Sequence, residues 1–181
     1  MPLLKSKCIF LDRDGVLNEE LNDYLFQTEK LIIPEGVVEA LQLLKKAGYL
    51  LIVITNQAGI AKGLYDADAV YAIHEMMQKA SGGILDDIYF SPYHPDNSGK
   101  SLSRKPDSLM LEKAISKYNI DPDQSWMIGD RSRDMEAGKK VGLRTVHIIH
   151  ETESSTGDFT AANLFEAAKI VIADSSKLPL T

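Results

Sequence analysis

The stretch Cys8-Ile9-Phe10-Leu11-Asp12-Arg13-Asp14-Gly15-Val16-Leu17-Asn18 decides the fold. Four apolar residues of strand length run into two carboxylates one residue apart and then into a glycine turn. In an open α/β sheet, ligands bind at the C-terminal ends of strands. Asp12 and Asp14 are expected on one side of the pleat, where their charges repel unless a cation or a shared proton separates them. A divalent metal is the simplest answer. A calcium loop of the EF-hand kind would need another oxygen ligand before the glycine and a Glu at the loop end, and Gly15-Val16-Leu17 supplies neither.

Working outward, Tyr49-Leu50-Leu51-Ile52-Val53-Ile54 is a near-continuous apolar run, as in a parallel strand covered on both faces, and it ends in Thr55-Asn56-Gln57-Ala58-Gly59. A strand-end hydroxyl followed by backbone amides in a glycine-containing loop can bind phosphoryl oxygens without competing as a nucleophile. Further on, Arg104-Lys105-Pro106 precedes a helical stripe, and Ser125-Trp126-Met127-Ile128 runs into Gly129-Asp130-Arg131-Ser132-Arg133-Asp134. Asp130 is a candidate metal ligand opposite Asp12. Asp134, at the start of the next helix, suits capping or orientation better than direct ligation.

The order of these four stretches resembles the signatures of the haloacid dehalogenase (HAD) superfamily. Asp12 to Asn18 and Asn56 to Gly63 resemble more narrowly its branch of heptose bisphosphate and histidinol-phosphate phosphatases. That resemblance implies a Rossmann-like, doubly wound parallel α/β sheet without a large cap domain. It also implies that Asp12 is a phosphoryl-accepting nucleophile, Asp14 a general acid and base, and that Thr55, the Asn56 amide and Lys105 hold phosphoryl oxygens. Mg²⁺ is implied on Asp12, Asp130 and the backbone carbonyl of Asp14. Substrate contacts are implied for Tyr24, Asn56, Gln57, Ala58, Arg104 and Arg131. The zinc loop usual in this branch has its aligned positions occupied by Ser91, Tyr93, Ser101 and Ser103. Hydroxyls do not replace thiolate and imidazole for structural zinc, so zinc is not expected.

The favoured substrate is a heptose 1,7-bisphosphate losing its 7-phosphate, on a route to cell-envelope or nucleotide-activated heptose. Histidinol phosphate is the first alternative and a polynucleotide 3′-phosphate a weaker one. A receiver-like phosphoacceptor module also gathers acids, Thr and Lys at strand ends, although its acceptor belongs on a central strand after the first acidic pair.

Composition narrows the partners. The 181 residues carry 26 Asp and Glu against 20 Lys and Arg, a net charge of -6. A chain of this length reads as one domain, residues 1–181, able to bury about 70% of its unfolded surface. The acidic balance, with no long basic run, argues against nucleic acid and an anionic membrane. A small phosphorylated substrate, a monomer and a cytoplasmic location are expected. The single cysteine, Cys8, fits a packed strand thiol.

Helices are expected from Pro34 through Lys46, from an Asp66 cap to about Ala80 with Val70, Ile73, Met76, Met77 and Ala80 as core, from Pro106 through Tyr118, over Met135 to Val141, and from an Asn163 cap to about Ile172. His74 reads as an incidental helix residue, His147 and His150 as structural or exposed. The segments 18 to 33, 56 to 65 and 91 to 105 read as loops that close over the substrate, the first of them with Asn22 and Asp23 where the branch usually has His-Gly. Residues 152 to 158 read as a polar loop and 174 to 181 as a tail that frays.

Overall fold

The structure is a computed structural model and describes residues 5–21, 23–149 and 154–175. The expectations for Asn22, His150, the start of the 152 to 158 loop and the last six residues lie outside these. Six strands, β1 (Cys8–Leu11), β2 (Leu50–Asn56), β3 (Asp87–Ser91), β4 (Trp126–Gly129), β5 (Arg144–Ile148) and β6 (Phe159–Ala161), form one sheet in the order β3-β2-β1-β4-β5-β6. Every pairing is parallel. The chain winds outward from β1 in one direction and then, from β4, in the other, which places the switch point between β1 and β4. A doubly wound sheet opens its ligand crevice there, beyond the carboxyl ends of the strands.

Alternation along β1 explains why its sequence is apolar throughout. Cys8 and Phe10 pack on one face with Ile52, Ile54, Met110 and Met127, while Ile9 and Leu11 pack on the other with Val53, Leu41 and Ile128. Both faces are dry because helices cover both, so strand residues of either parity must be apolar. Burial raises the Cys8 thiol well above its ordinary range, as suits a packed side chain.

Among the described residues six α-helices surround the sheet: α1 (Val37–Lys46), α2 (Ala67–Ala80), the single turn α3 (Pro95–Ser98), α4 (Leu109–Tyr118), α5 (Ser132–Lys140) and α6 (Leu164–Ser175). The expected caps are in place. Asp66 accepts from the Ala69 N–H at 3.0 Å and Asn163 from the Glu166 N–H at 2.9 Å. No helix among the described residues is long and apolar enough to cross a membrane.

Several boundaries differ from expectation for identifiable reasons. α1 starts at Val37 rather than Pro34, because Gly36 sits at φ 83, outside helical backbone. α4 starts at Leu109 rather than Pro106, because the Asp107 and Leu109 N–H groups donate to Arg104 and Leu102 carbonyls of the preceding loop. α5 starts earlier, at Ser132, since the Asp134 carboxylate takes the Arg131 N–H and closes the first turn. In α2 the buried face is Val70, Ile73, His74 and Met77. Met76 and Ala80 are exposed, Met76 because it lies six residues from Val70 and so off that stripe. His74 is therefore a core residue, and burial and the Arg13 charge push its pKa down to about 4. At the C-terminal end, Asp174 pairs with Arg144 and Ser175 hydrogen bonds with Tyr49, so these two residues are docked rather than frayed.

Candidate active site

The site is built where β1 and β4 part. Leu11 is level with Ile128, and the Asp12 N–H donates to the Ile128 carbonyl at 2.9 Å, so Asp12 continues β1 by one residue beyond its regular end. Asp130 leaves β4 beside it. The close approach depends on Gly15, at φ 78, where a Cβ would lie 2.4 Å from Asp130 Oδ2.

Lys105 arrives from the loop before α4. Its Nζ is 2.8 Å from Asp12 Oδ1 and 2.7 Å from Asp134 Oδ1, and it donates to the Ile54 carbonyl at 2.6 Å. At 1% exposure this ammonium has no water to turn to, so its three acceptors fix it completely. The loop is fixed too, because the Asn56 side chain bonds both the N–H and the carbonyl of Lys105, each at 3.0 Å.

Burial lowers the Lys105 pKa, but Asp12 and Asp134 outweigh it and hold it above the ordinary lysine range. Asp12 is pushed upward by burial and by Asp134, against the pull of Lys105. Asp130 is pushed up to about 7 by burial and then by Asp12 and Asp134. Asp12, Asp130 and Asp134 each offer an oxygen within 4.8 Å of the others. Lys105 lies between Asp12 and Asp134 and Arg131 meets Asp130 from outside, and the all-oxygen donor set that remains suits a hard divalent cation such as Mg²⁺. Both Asp134 oxygens are taken, Oδ1 by Lys105 and Oδ2 by the Arg131 N–H at 3.0 Å, whereas Asp12 is held through Oδ1 and Asp130 through Oδ2, which leaves one oxygen of each for such an ion.

Asp14 is clamped differently. Its Oδ1 accepts from Arg13 Nη2 at 2.9 Å, Arg13 Nε at 3.1 Å and Asn18 Nδ2 at 3.1 Å, whereas Oδ2 accepts from Gln57 Nε2 at 3.2 Å. Gln57 also donates to Thr55 Oγ1 at 2.9 Å and accepts from Tyr65 Oη at 2.9 Å. Oδ1 thus carries three donor contacts and Oδ2 one.

Asp12, Asp14, Tyr24, Thr55, Asn56, Gln57 and Arg131 line one cleft of about 450 Å³. Arg131 is tied to Asp130 at 3.1 Å and Glu20 at 3.5 Å. Of the other expected contacts, Ala58 is buried and its carbonyl takes the Lys62 N–H, while Arg104 donates to the Tyr93 carbonyl at 3.0 Å; neither lines this cleft. Tyr24 leans on Tyr65, on which Phe26 stacks at 5.3 Å, so the loops 18 to 33 and 56 to 65 meet above the site. The third loop is tied down by hydroxyls. Ser103 Oγ lies 3.0 Å from Ser91 Oγ and 2.9 Å from Ser101 Oγ, and His94 caps α3 through its Nδ1.

Arg13, Asn18 and Tyr65 were not evident from sequence. Arg13, between the two carboxylates of the motif, is only 1% exposed. The available signal was the placement of Asn18 four residues after Asp14, in a turn closed by the Gly15 N–H on the Asn18 carbonyl at 2.9 Å.

A family model described as HAD-hydrolase-like matches residues 102–174. The chain is 40% identical over 160 residues to the D-glycero-β-D-manno-heptose-1,7-bisphosphate 7-phosphatase of Pasteurella multocida, covering 84% of this chain and 86% of that protein. This chain belongs to the HAD phosphatase family. The HAD relatives include a D-glycero-α-D-manno-heptose-1,7-bisphosphate 7-phosphatase from Burkholderia mallei, 34% identical over 84% of both chains. Among HAD structures, the D,D-heptose 1,7-bisphosphate phosphatase of B. bronchiseptica, complexed with magnesium and phosphate, is similar at a TM-score of 0.83 and 26% identity. That match covers 93% of this chain and 99% of that one.

Proposed function

We propose that this chain is a Mg²⁺-dependent phosphomonoester hydrolase that removes the 7-phosphate of D-glycero-D-manno-heptose 1,7-bisphosphate. The observation that carries the reading is Asp12, buried at the sheet's switch point against Lys105, with Asp14 two residues on in the same cleft. Relatives acting on both anomers support the substrate class and leave the anomer to experiment.

In this reading Asp12 attacks phosphorus, forming an aspartyl phosphate as the bond to the sugar oxygen breaks. Asp14 gives its proton to that oxygen. Asp14 then takes a proton from water, which attacks phosphorus and breaks the bond to Asp12, releasing inorganic phosphate. Thr55 and the Asn56 amide hold the phosphoryl oxygens, and Lys105, its three N–H bonds already placed on Asp12, Asp134 and the Ile54 carbonyl, stabilises the phosphoryl charge at Asp12 by its field. Tyr24, Gln57 and Arg131 shape the substrate end from the cleft wall, while Ala58 and Arg104, which lie off it, act through the loops they hold, Ala58 by accepting from the Lys62 N–H and Arg104 by donating to the Tyr93 carbonyl. Asp12, Asp130 and the Asp14 carbonyl would hold Mg²⁺, which supplies charge neutralisation when bound. This reading gives zinc no part, because Ser91, Tyr93, Ser101 and Ser103 offer hydroxyls where structural zinc needs thiolate or imidazole.

Phosphate release with Mg²⁺ alone tests the reading, using both heptose 1,7-bisphosphate anomers, histidinol phosphate and a 3′-phosphorylated oligonucleotide. A kcat/KM at least about tenfold higher on one heptose anomer than on the other classes is the expected result. Comparable weak rates on all of them would refute the substrate and leave the phosphatase chemistry.

Asp130 gives a pH prediction. Its folded-state pKa near 7 lies above that of the unfolded chain, so the metal-free fold loses stability as pH rises from about 4 to about 7. Mg²⁺ must displace that proton at low pH. Calorimetric titration is expected to give an apparent Mg²⁺ Kd that rises by about tenfold per pH unit below 7 and flattens above it. A Kd independent of pH between 5.5 and 8 would contradict the raised carboxylate.

A further inference from the structure

The cleft that holds Asp12 and Asp14 is also lined by Arg133, a residue in the first turn of α5 to which the proposed chemistry gives no task. Its charge differs in one respect from the other arginines of the same wall. Arg13 is bound to Asp14, and Arg131 to Asp130 and Glu20. Arg133 makes no ion pair among the described residues, and its Nε is buried without a hydrogen-bond partner. The Arg133 charge reaches Asp12 and Asp130 without contact, and a half-buried guanidinium with an unused donor is costly unless a ligand supplies the acceptor.

Its surroundings add to that cost. Arg104 stands close enough that Arg133, after burial, lowers its pKa, and Arg104 spends its own donor on a carbonyl rather than an acid. Two cations therefore repel each other beside the cleft. A dianionic group between or against them would relieve both the repulsion and the missing hydrogen bonds, and a planar guanidinium suits phosphate oxygens in a bidentate pair. The transferring phosphoryl already has Thr55 and the Asn56 amide, with the Lys105 charge behind Asp12.

We infer that Arg133 binds the second, non-reacting phosphate of the substrate and so sets the preference for a bisphosphate over a monophosphate. This rests on the heptose bisphosphate reading above. The test compares kcat/KM on heptose 1,7-bisphosphate with that on heptose 7-phosphate, which carries a hydroxyl at C1, for the wild type, Arg133→Gln and Arg133→Lys. Thermal unfolding midpoints are measured alongside as the control for folding.

The wild type is expected to prefer the bisphosphate. Arg133→Gln should shrink the ratio of the two kcat/KM values by about 10- to 100-fold, mainly through KM on the bisphosphate, and Arg133→Lys should restore part of it. A wild type that prefers the bisphosphate, with a ratio unchanged in folded Arg133→Gln, would overturn the role of Arg133 and leave the substrate assignment standing. A wild type with no preference would overturn both.

Discussion

Asp12→Asn is expected to lower turnover by roughly 10⁴- to 10⁶-fold, the range seen when the nucleophile of a group that acts as a unit is removed. The amide keeps the shape of the carboxylate but is a far weaker nucleophile. The fold should not suffer. Burial and Asp134 already disfavour a charge at this position, and after the substitution Lys105 still holds Asp134 and the Ile54 carbonyl. Without Mg²⁺ the variant should unfold at the same temperature as the wild type or higher, because one of three crowded carboxylates has become neutral. Added Mg²⁺ should stabilise the wild type more than the variant, which has lost a ligand. Steady-state phosphate release and calorimetry with and without Mg²⁺ check both halves. Activity within tenfold of wild type would remove Asp12 from the role of nucleophile.

Lys105→Met is expected to damage both stability and catalysis. It leaves Asp12 and Asp134 buried without their counter-charge and the Ile54 carbonyl without its donor. Breaking a buried pair from one side costs about 3–5 kcal/mol, which for a chain of this size lowers the midpoint by roughly 6–20 °C. The deficit should narrow toward acid pH, where the stranded carboxylates take up protons and no longer need the cation. Turnover should fall by about 10²–10³-fold, as for loss of one donor to a developing charge. The double variant Asp12→Asn with Lys105→Met should be less destabilised than the sum of the single effects, because the amide removes one of the charges that the methionine strands. Additive effects would mean that the lysine and the aspartate do not act on each other.

The parts of this site that were legible in the sequence are those where chemistry and strand geometry coincide. An apolar run ending in a carboxylate or hydroxyl announces a parallel strand and its functional end together. Asp12, Thr55 and Asp130 stand where such a reading puts them, at the ends of β1, β2 and β4. Lys105 lies on no strand and carries no periodicity; only its place in the order of motifs marked it.

What escaped the sequence depends on long-range packing. Nothing local distinguishes Arg13 from a solvated turn residue, because its burial comes from the loop that brings the Leu25 carbonyl to 3.4 Å. His74 and Met76 are equally plausible on a helical stripe until neighbouring elements select the face. The Asn56 clamp on Lys105 joins residues 49 positions apart, and its two hydrogen bonds have no signature in either segment. The starts of α1, α4 and α5 likewise follow local contacts, at Gly36, at Asp107 and Leu109, and at the Asp134 side chain.

The central claim is that phosphorus passes through Asp12. Borohydride added during turnover of heptose 1,7-bisphosphate with Mg²⁺ reduces an acyl phosphate to the alcohol, and peptide mass spectrometry locates the residue so changed. The account predicts homoserine at position 12, dependent on substrate and absent from Asp12→Asn. Full turnover with Asp12 unmodified, or modification at Asp14, Asp130 or Asp134 instead, would contradict it.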